Sequence, residues 1–235
     1  MPVYILSEAL AFPAPHLASE EGLLAVGGDL GYERLLLAYK MGIFPWYGEG
    51  EPILWWSPDP RLVLYPKSLH VPKRLLRLIK QHRFRITMDT AFEVVITSCK
   101  QAPRENQQGT WIVDDMVAAY CRLHEAGYAH SVEAWQGDKL VGGLYGISLG
   151  NCFFGESMFS RRANASKVAF VTLVTHLGKK SFDLVDCQVA TDHLIRFGAV
   201  KIPRHDFLAQ LEHSLRTPNR TGKWFFDDNE AHPLK

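Results

Sequence analysis

Three polar residues in the second half of the chain could carry chemistry: Asp186, Gln188 and Glu156. The first two lie in the stretch FDLVDCQ, which is predicted to form a short strand from Phe182 to Gln188. Because side chains alternate along a strand, Asp186 and Gln188 are expected on one face and Cys187 on the other. A carboxylate beside an amide, with a second carboxylate nearby, looks more like chemistry than packing.

Each of these residues also has a structural interpretation. A lone carboxylate on a strand is usually structural, and a strand cysteine such as Cys187 is usually a small core residue. His193 could pair with Asp186, although a histidine at the start of a helix is more often at the surface. Glu156 lies in an aromatic strand, and a single carboxylate in apolar surroundings is suited to holding a cation.

The elements that position these residues form a strand, a helix and a strand. Residues Cys152 to Phe159 are predicted to be the first strand, and the apolar run from Ala165 to Leu177 a helix that ends at Gly178. Two earlier strands, in SVEAW and KLVGGLYGI, are joined by turns short enough for hairpins. An antiparallel meander followed by a helix and a strand indicates an α+β fold.

A strongly basic surface precedes this region. No Asp or Glu occurs between Asp59 and Asp89, where eight of the 26 Lys and Arg residues fall. A helix from Val71 to Gln81 and a strand in RFRITM would place six cations on one surface, because helix and strand periodicities align them. We call this surface the basic face: Lys73, Arg74, Arg77, Lys80, Arg83 and Arg85. It is either an ordinary solvated surface or, given the missing acidic partners, a phosphate-binding one.

Residues 1–62 differ in composition, being rich in Pro, Gly and Trp around one predicted helix, Tyr32 to Lys40. We therefore predict a small N-terminal α+β domain over 1–62 and a larger domain over 63–235. Trp46 lies in a loop, where it could fill a small core or serve a binding site. Trp111 ends a polar loop, where it could be a lid or stacking platform, or an anchor for the predicted helix Asp114 to Glu125.

Further along the chain, Thr90 and Glu93 form a capping-box pattern that opens a helix. The last residues, TGKWFFDDNEAHPLK, are expected to be a loosely tied tail.

The composition is that of an ordinary soluble protein, with 47% hydrophobic residues, 22% charged residues and a net charge of +1. Four cysteines without CxxC or metal-like spacing argue against a disulfide scaffold and a zinc site, and favour a reduced, cytoplasmic protein. No signal-peptide pattern and no membrane-spanning run are expected. A monomer is the default expectation.

Several longer motifs carry a specific resemblance. In order and spacing, the chain contains GLLAVGGDL, MGIFPW, PILWWSPDPR, GTWI, HSVEAW, LVGGLYG, GESMFSRRANASK and DCQ. From about Gly22 to Phe207 it resembles the bacterial leucyl/phenylalanyl-tRNA–protein transferase family. The resemblance implies a larger domain with a mostly antiparallel mixed sheet of the GCN5-related acetyltransferase type. It also implies transfer of leucine or phenylalanine from aminoacyl-tRNA to proteins that begin with Arg or Lys, marking them for N-end rule degradation, without metal or coenzyme.

The resemblance also implies residue roles. The basic face would hold tRNA phosphates, and Trp46 and Trp111 would stack on the terminal adenosine. Glu156 would face the cationic side chain of the acceptor, and Asp186 with Gln188 would handle its α-amino group, with Asp186 as either base or anchor. An apolar pocket, which would also admit methionine as a minor donor, would receive the aminoacyl side chain; it comprises Leu144, Phe153, Met158, Leu173, Leu177 and Val185.

Two rival interpretations follow from the same features. An acyl-CoA-dependent N-acetyltransferase would need a glycine-rich turn before the helix that follows the fourth strand, but this chain has RRANASK there, without glycine. A non-catalytic RNA-binding module or a peptide-binding adaptor would explain the basic face equally well. It would leave Asp186, Gln188 and Glu156 without a task.

Overall fold

Two sheets organise the chain in the computed structural model, which describes residues 3–102 and 112–226. The smaller sheet, in the order β1-β2-β4-β3, comprises β1 (Tyr4–Leu6), β2 (Leu23–Gly27), β3 (Phe44–Pro45) and β4 (Leu54–Trp56). Helix α1 (Tyr32–Lys40) joins β2 to β3, as the sequence predicted. The strands of this sheet are only two to five residues long, and the sequence did not reveal them.

The larger sheet has seven strands in the order β11-β5-β10-β9-β8-β7-β6. They are β5 (Arg61–Leu64), β6 (Arg85–Met88), β7 (Ala129–Gln136), β8 (Lys139–Leu149), β9 (Cys152–Ser160), β10 (Leu184–Gln188) and β11 (Val200–Ile202). Among these described strands, only the β9–β10 pair is parallel. The remaining pairs are antiparallel. The predicted class, α+β with a mostly antiparallel mixed sheet, is confirmed.

Further helices surround this sheet. They are α2 (Lys73–Lys80), α3 (Phe92–Gln101), α4 (Asp114–Glu125), α5 (Ala165–Lys179), α6 (Asp192–Ile195) and α7 (Arg204–Ser214). Alternation along the strands separates two cores. Phe153 joins the core that contains residues of α2 and α5, whereas its neighbour Phe154 joins the core shared with α1, α3, α4 and the small sheet. That shared core packs the two sheets together. The domain boundary at residue 62 stays a prediction.

Two local predictions are wrong. Thr90 does not cap α3; its hydroxyl donates instead to the buried carboxylate of Glu133 on β7, and the N-cap residue is Ala91. The C-terminal segment is not loosely tied as far as it is described. The Trp224 ring stacks on the buried His130 ring with centroids 3.8 Å apart, because the chain returns along the large sheet.

Candidate active site

A cavity of about 520 Å³ opens where β9 and β10 separate. Their parallel ladder pairs Leu184 with Cys152 and ends at the pair Asp186 and Phe154. Beyond that point both strands line the cavity, with Gly155 and Glu156 on β9 and Gln188 on β10. The small sheet contributes Phe44, Pro45 and Trp46 to the same cavity.

The cavity wall is mostly apolar. Five of the six predicted pocket residues line it: Leu144, Phe153, Met158, Leu173 and Val185. Leu177 does not; it is fully buried in the core one turn further along α5. Other lining residues escaped the sequence analysis, notably Phe170, Cys187 and Leu194. Phe170 lies three residues before Leu173 on α5, so helical periodicity could have indicated it.

Glu156 is the extra residue of a β-bulge. On β8, Tyr145 pairs with Ser157 and the next residue, Gly146, pairs with Gly155, so Glu156 has no partner residue opposite it. A bulge redirects side chains beside a site. This one directs the partly buried Glu156 carboxylate to two buried tyrosines, Tyr39 of α1 and Tyr120 of α4, which the sequence analysis missed.

Glu156, Tyr39 and Tyr120 form a closed triangle of hydrogen bonds. The Tyr39 hydroxyl lies 2.8 Å from Glu156 Oε1, the Tyr120 hydroxyl lies 3.0 Å from Oε2, and the two hydroxyls bond each other. Three bonds need three hydrogens, and two hydroxyls supply two, so the triangle is complete only when the carboxyl is protonated. Burial raises the pKa of Glu156 to about 7 against the opposing hydrogen bonds.

Gln188 also contacts the Glu156 carboxyl. Its Nε2 donates to Glu156 Oε1 over 2.9 Å, which leaves the Gln188 side-chain oxygen as an acceptor. The expected alternation does not continue through this residue. The β10–β5 register shifts between Asp186 and Gln188, and Gln188 has a φ of 60°, so Cys187 and Gln188 both line the cavity.

Asp186 is not among the cavity-lining residues and is completely buried. Its two oxygens accept from Nε and Nη2 of Arg61, over 2.8 and 2.6 Å, and Oδ1 also accepts from the Gln188 backbone N–H over 2.9 Å. Arg61, the first residue of β5, was not identified from the sequence. It belongs to the WWSPDPR motif, 125 residues before its partner. His193 lines the cavity and does not pair with Asp186.

The basic face lies on α2 and on the segment that leads into β6, and all six of its side chains are exposed. Within residues 3–102 and 112–226 none of them forms an ion pair. The helix is shorter than predicted, beginning at Lys73 after Pro72. Trp46 lines the cavity and lies 5.7 Å from Trp56, centroid to centroid. Trp111 lies outside the described residues.

No group of three His, Cys, Asp or Glu side chains that could hold a metal ion occurs in the described part of the chain. In the same part, no helix is long and apolar enough to cross a membrane. The expected absence of a cofactor stays a prediction.

A mostly antiparallel sheet opens between two parallel strands into an apolar cavity with a carboxyl and an amide at its edge, an arrangement suited to binding an apolar group beside a polar one. Family models identify the class of enzyme, an aminoacyl-tRNA protein transferase. The model described as leucyl/phenylalanyl-tRNA protein transferase matches residues 63–212, and the model for the N-terminal domain of the same enzyme matches residues 28–59.

Similar proteins bear the same name. The leucyl/phenylalanyl-tRNA–protein transferase of Desulforapulum autotrophicum is 56% identical over 226 residues, which is 96% of this chain and 99% of that protein. That of Anaeromyxobacter sp. strain Fw109-5 is 58% identical over 97% of both chains. The chain therefore belongs to the leucyl/phenylalanyl-tRNA protein transferase family. It is an enzyme, an aminoacyltransferase.

Proposed function

We propose that this enzyme transfers leucine or phenylalanine, with methionine as a minor donor, from aminoacyl-tRNA to the α-amino group of proteins that begin with Arg or Lys. The observation that carries the proposal is the cavity, whose apolar wall ends at the Glu156 and Gln188 side chains. An apolar side chain fits the wall, and a cation fits a carboxylate.

In this proposal Leu144, Phe153, Met158, Leu173 and Val185 surround the aminoacyl side chain, and Trp46 stacks on the terminal adenosine. Trp111 is assigned the same stacking role and Leu177 supports the pocket from behind Leu173. The basic face holds the tRNA backbone, for which unpaired exposed cations are suited.

Glu156 pairs with the cationic side chain of the acceptor's first residue. Binding of that cation favours the ionised carboxylate, so the proton of the triangle leaves when the acceptor arrives. The Gln188 side-chain oxygen, left free by its bond to Glu156, accepts a hydrogen bond from the acceptor's α-amino group. Asp186 remains part of the proposal: it does not line the cavity, but its replacement should slow transfer.

The reaction needs little further machinery. The neutral α-amine attacks the ester carbonyl, the C–N bond forms, and the ester C–O bond breaks, with the ribose oxygen leaving as a hydroxyl after it takes up the proton lost by the amine. An α-amine with a pKa of about 7.7–8.0 is partly neutral at working pH. Positioning the amine against the ester can supply roughly 7–11 kcal/mol. Positioning is therefore the main catalytic contribution.

The test uses purified protein, tRNA charged with radiolabelled leucine and a peptide that begins with arginine, without added coenzyme. Label should move to this peptide and not to a matched peptide that begins with glycine. Absence of transfer from leucyl-, phenylalanyl- and methionyl-tRNA alike would reject the proposed substrates.

We further propose that the enzyme works as a monomer in the cytoplasm and that its products enter N-end rule degradation. A reporter protein that begins with arginine should then have a shorter half-life in cells that contain the enzyme than in cells that lack it. Equal half-lives in the two strains would argue against the degradation role.

A further inference from the structure

Arg61 and Asp186 form an ion pair enclosed by the protein. The side chains are 1% and 0% exposed, and Nε and Nη2 of the guanidinium face the two carboxylate oxygens. The guanidinium carbon lies 4.8 Å from the Phe44 ring centroid and 4.6 Å from that of Phe207, so two aromatic rings pack against the cation. This planar arrangement fixes the carboxylate in one orientation.

The Asp186 carboxylate lies behind the cavity and not in it. A general base must come within about 3 Å of the proton it removes, or reach it through one water. Asp186 has no exposed surface and is not among the residues that line the cavity. Direct proton transfer from a substrate amine to Asp186 is therefore disfavoured by geometry.

Asp186 does reach the residue that lines the cavity. Its Oδ1 accepts the backbone N–H of Gln188, two residues along, which is the hydrogen bond of an Asx turn. Gln188 has a φ of 60°, a conformation that side-chain-bearing residues keep only when their surroundings enforce it. The same turn places the Gln188 amide against Glu156.

We propose that Arg61 is a positioning residue for the transfer reaction, acting through Asp186 to hold Gln188 in its left-handed conformation with the side chain at the cavity. Asp186 is then an anchor of the Gln188 backbone and not the base. Phe44 connects the ion pair to the cavity, because its ring packs against Arg61 and the same residue lines the cavity. This inference rests on the proposed function, since Gln188 is assigned to the acceptor amine.

The test compares turnover of an arginine-started peptide by four proteins: wild type, Arg61→Met, Asp186→Asn and the double variant. Each single change leaves one buried charge without its partner and should lower kcat about 100-fold, as expected when a reacting group is misplaced by roughly 1 Å. KM for aminoacyl-tRNA should not change. The double variant has no unpaired buried charge, and the side-chain oxygen of the introduced asparagine can still accept the Gln188 N–H. Its kcat should therefore recover at least tenfold over Arg61→Met.

The alternative, in which Asp186 is the general base, predicts no recovery of kcat in the double variant. If Asp186 removed the proton, the double variant would be as slow as Asp186→Asn or slower, and that result overturns the inference. Loss of one limb of the pH–rate profile in Asp186→Asn would overturn it too, because an anchor does not titrate during turnover. If either single variant fails to fold, the double variant still decides, because a kcat within about tenfold of wild type is incompatible with the loss of a base worth 10²–10⁴-fold.

Arg34 provides a matched control. It is 2% exposed, bonds Asp29 through Nε over 2.9 Å and, like Arg61, has a buried Nη1 without a hydrogen-bond partner among the described residues. Arg34→Met should lower stability and leave kcat unchanged. A kcat loss equal to that of Arg61→Met would make the effect general destabilisation and overturn the inference. If wild type itself moves no label, the proposed function fails; if it does and the double variant does not recover, only this inference fails.

Discussion

At the scale of single residues, the proton on Glu156 links the stability of the protein to pH. The pKa of this carboxyl is about 7 in the folded state, raised from 4.5 by burial. Between these values the unfolded chain has lost the proton that the folded protein keeps. The contribution of Glu156 to the free energy of unfolding is therefore fully present below about pH 4.5 and is lost as pH rises through about 7.

This linkage predicts the behaviour of Glu156→Gln, which cannot ionise. Relative to that variant, wild type should lose up to about 3 kcal/mol of unfolding free energy between pH 4.5 and pH 8, from about 1.4 kcal/mol per pKa unit. Urea unfolding of both proteins at the two pH values measures it, and any constant offset between them cancels. A wild-type curve parallel to that of the variant would mean that folding does not raise the pKa of Glu156.

The composition of the cavity wall makes a second prediction at this scale. The apolar part of the wall separates apolar side chains by only about 1–3 kcal/mol per methylene, so Met-tRNA should be a usable donor. A side chain branched at Cβ is wider next to the ester and should be rejected by shape. Transfer rates measured side by side with leucyl- and isoleucyl-tRNA test this expectation, and equal rates would contradict it.

Which site residues the sequence could reveal depends on how they are brought together. Gln188 and Glu156 were recognisable as polar groups in apolar strands, and the structure joins them. Tyr39, Tyr120 and Arg61 were not. Tyr39 meets Glu156 from 117 positions away, and nothing in a tyrosine on a helix or an arginine at a strand start predicts such a contact. The local pattern also failed at Gln188, where the Asx turn breaks the strand alternation.

At the scale of elements, α2 is the part of the basic face that should contribute most to tRNA affinity. Replacing Arg77 and Lys80 by Glu should raise KM for aminoacyl-tRNA and leave kcat with saturating tRNA unchanged, because neither residue lines the cavity. The slope of log affinity against log salt should fall by about one for each cation lost. Lys139→Glu, at the exposed start of β8, is the control and should change neither quantity.

Long elements were predictable and short ones were not. The β7–β8–β9 meander and α5 have lengths of 8 to 15 residues, over which periodicity is decisive. The small sheet has strands too short to show a period. The capping prediction for α3 failed because the Thr90 hydroxyl donates to the buried Glu133 carboxylate. Only the folded sheet brings that carboxylate within reach of Thr90.

At the scale of the whole molecule, the C-terminal segment closes the core behind the cavity. The Trp224 backbone N–H donates to Asp89 Oδ2 over 2.7 Å, and its ring contacts those of His130, Phe153 and Phe182. Phe153 lines the cavity from the other side. The segment thus joins the last described residues to the strands that form the site, which its sequence did not suggest.

Trp224→Ala should therefore lower the free energy of unfolding by about 2–3 kcal/mol, somewhat less than for a fully buried aromatic residue, since the ring is only partly buried. Phe225→Ala is the matched control. Phe225 is the next residue along the chain and is 72% exposed, so its replacement should change the free energy of unfolding by no more than about 0.5 kcal/mol. Urea denaturation of the three proteins at one pH gives both values. Equal stabilities for the two variants would mean that the segment around Trp224 does not close the core in solution. A loss confined to Trp224→Ala would make this described segment part of the cooperative unit that supports the cavity.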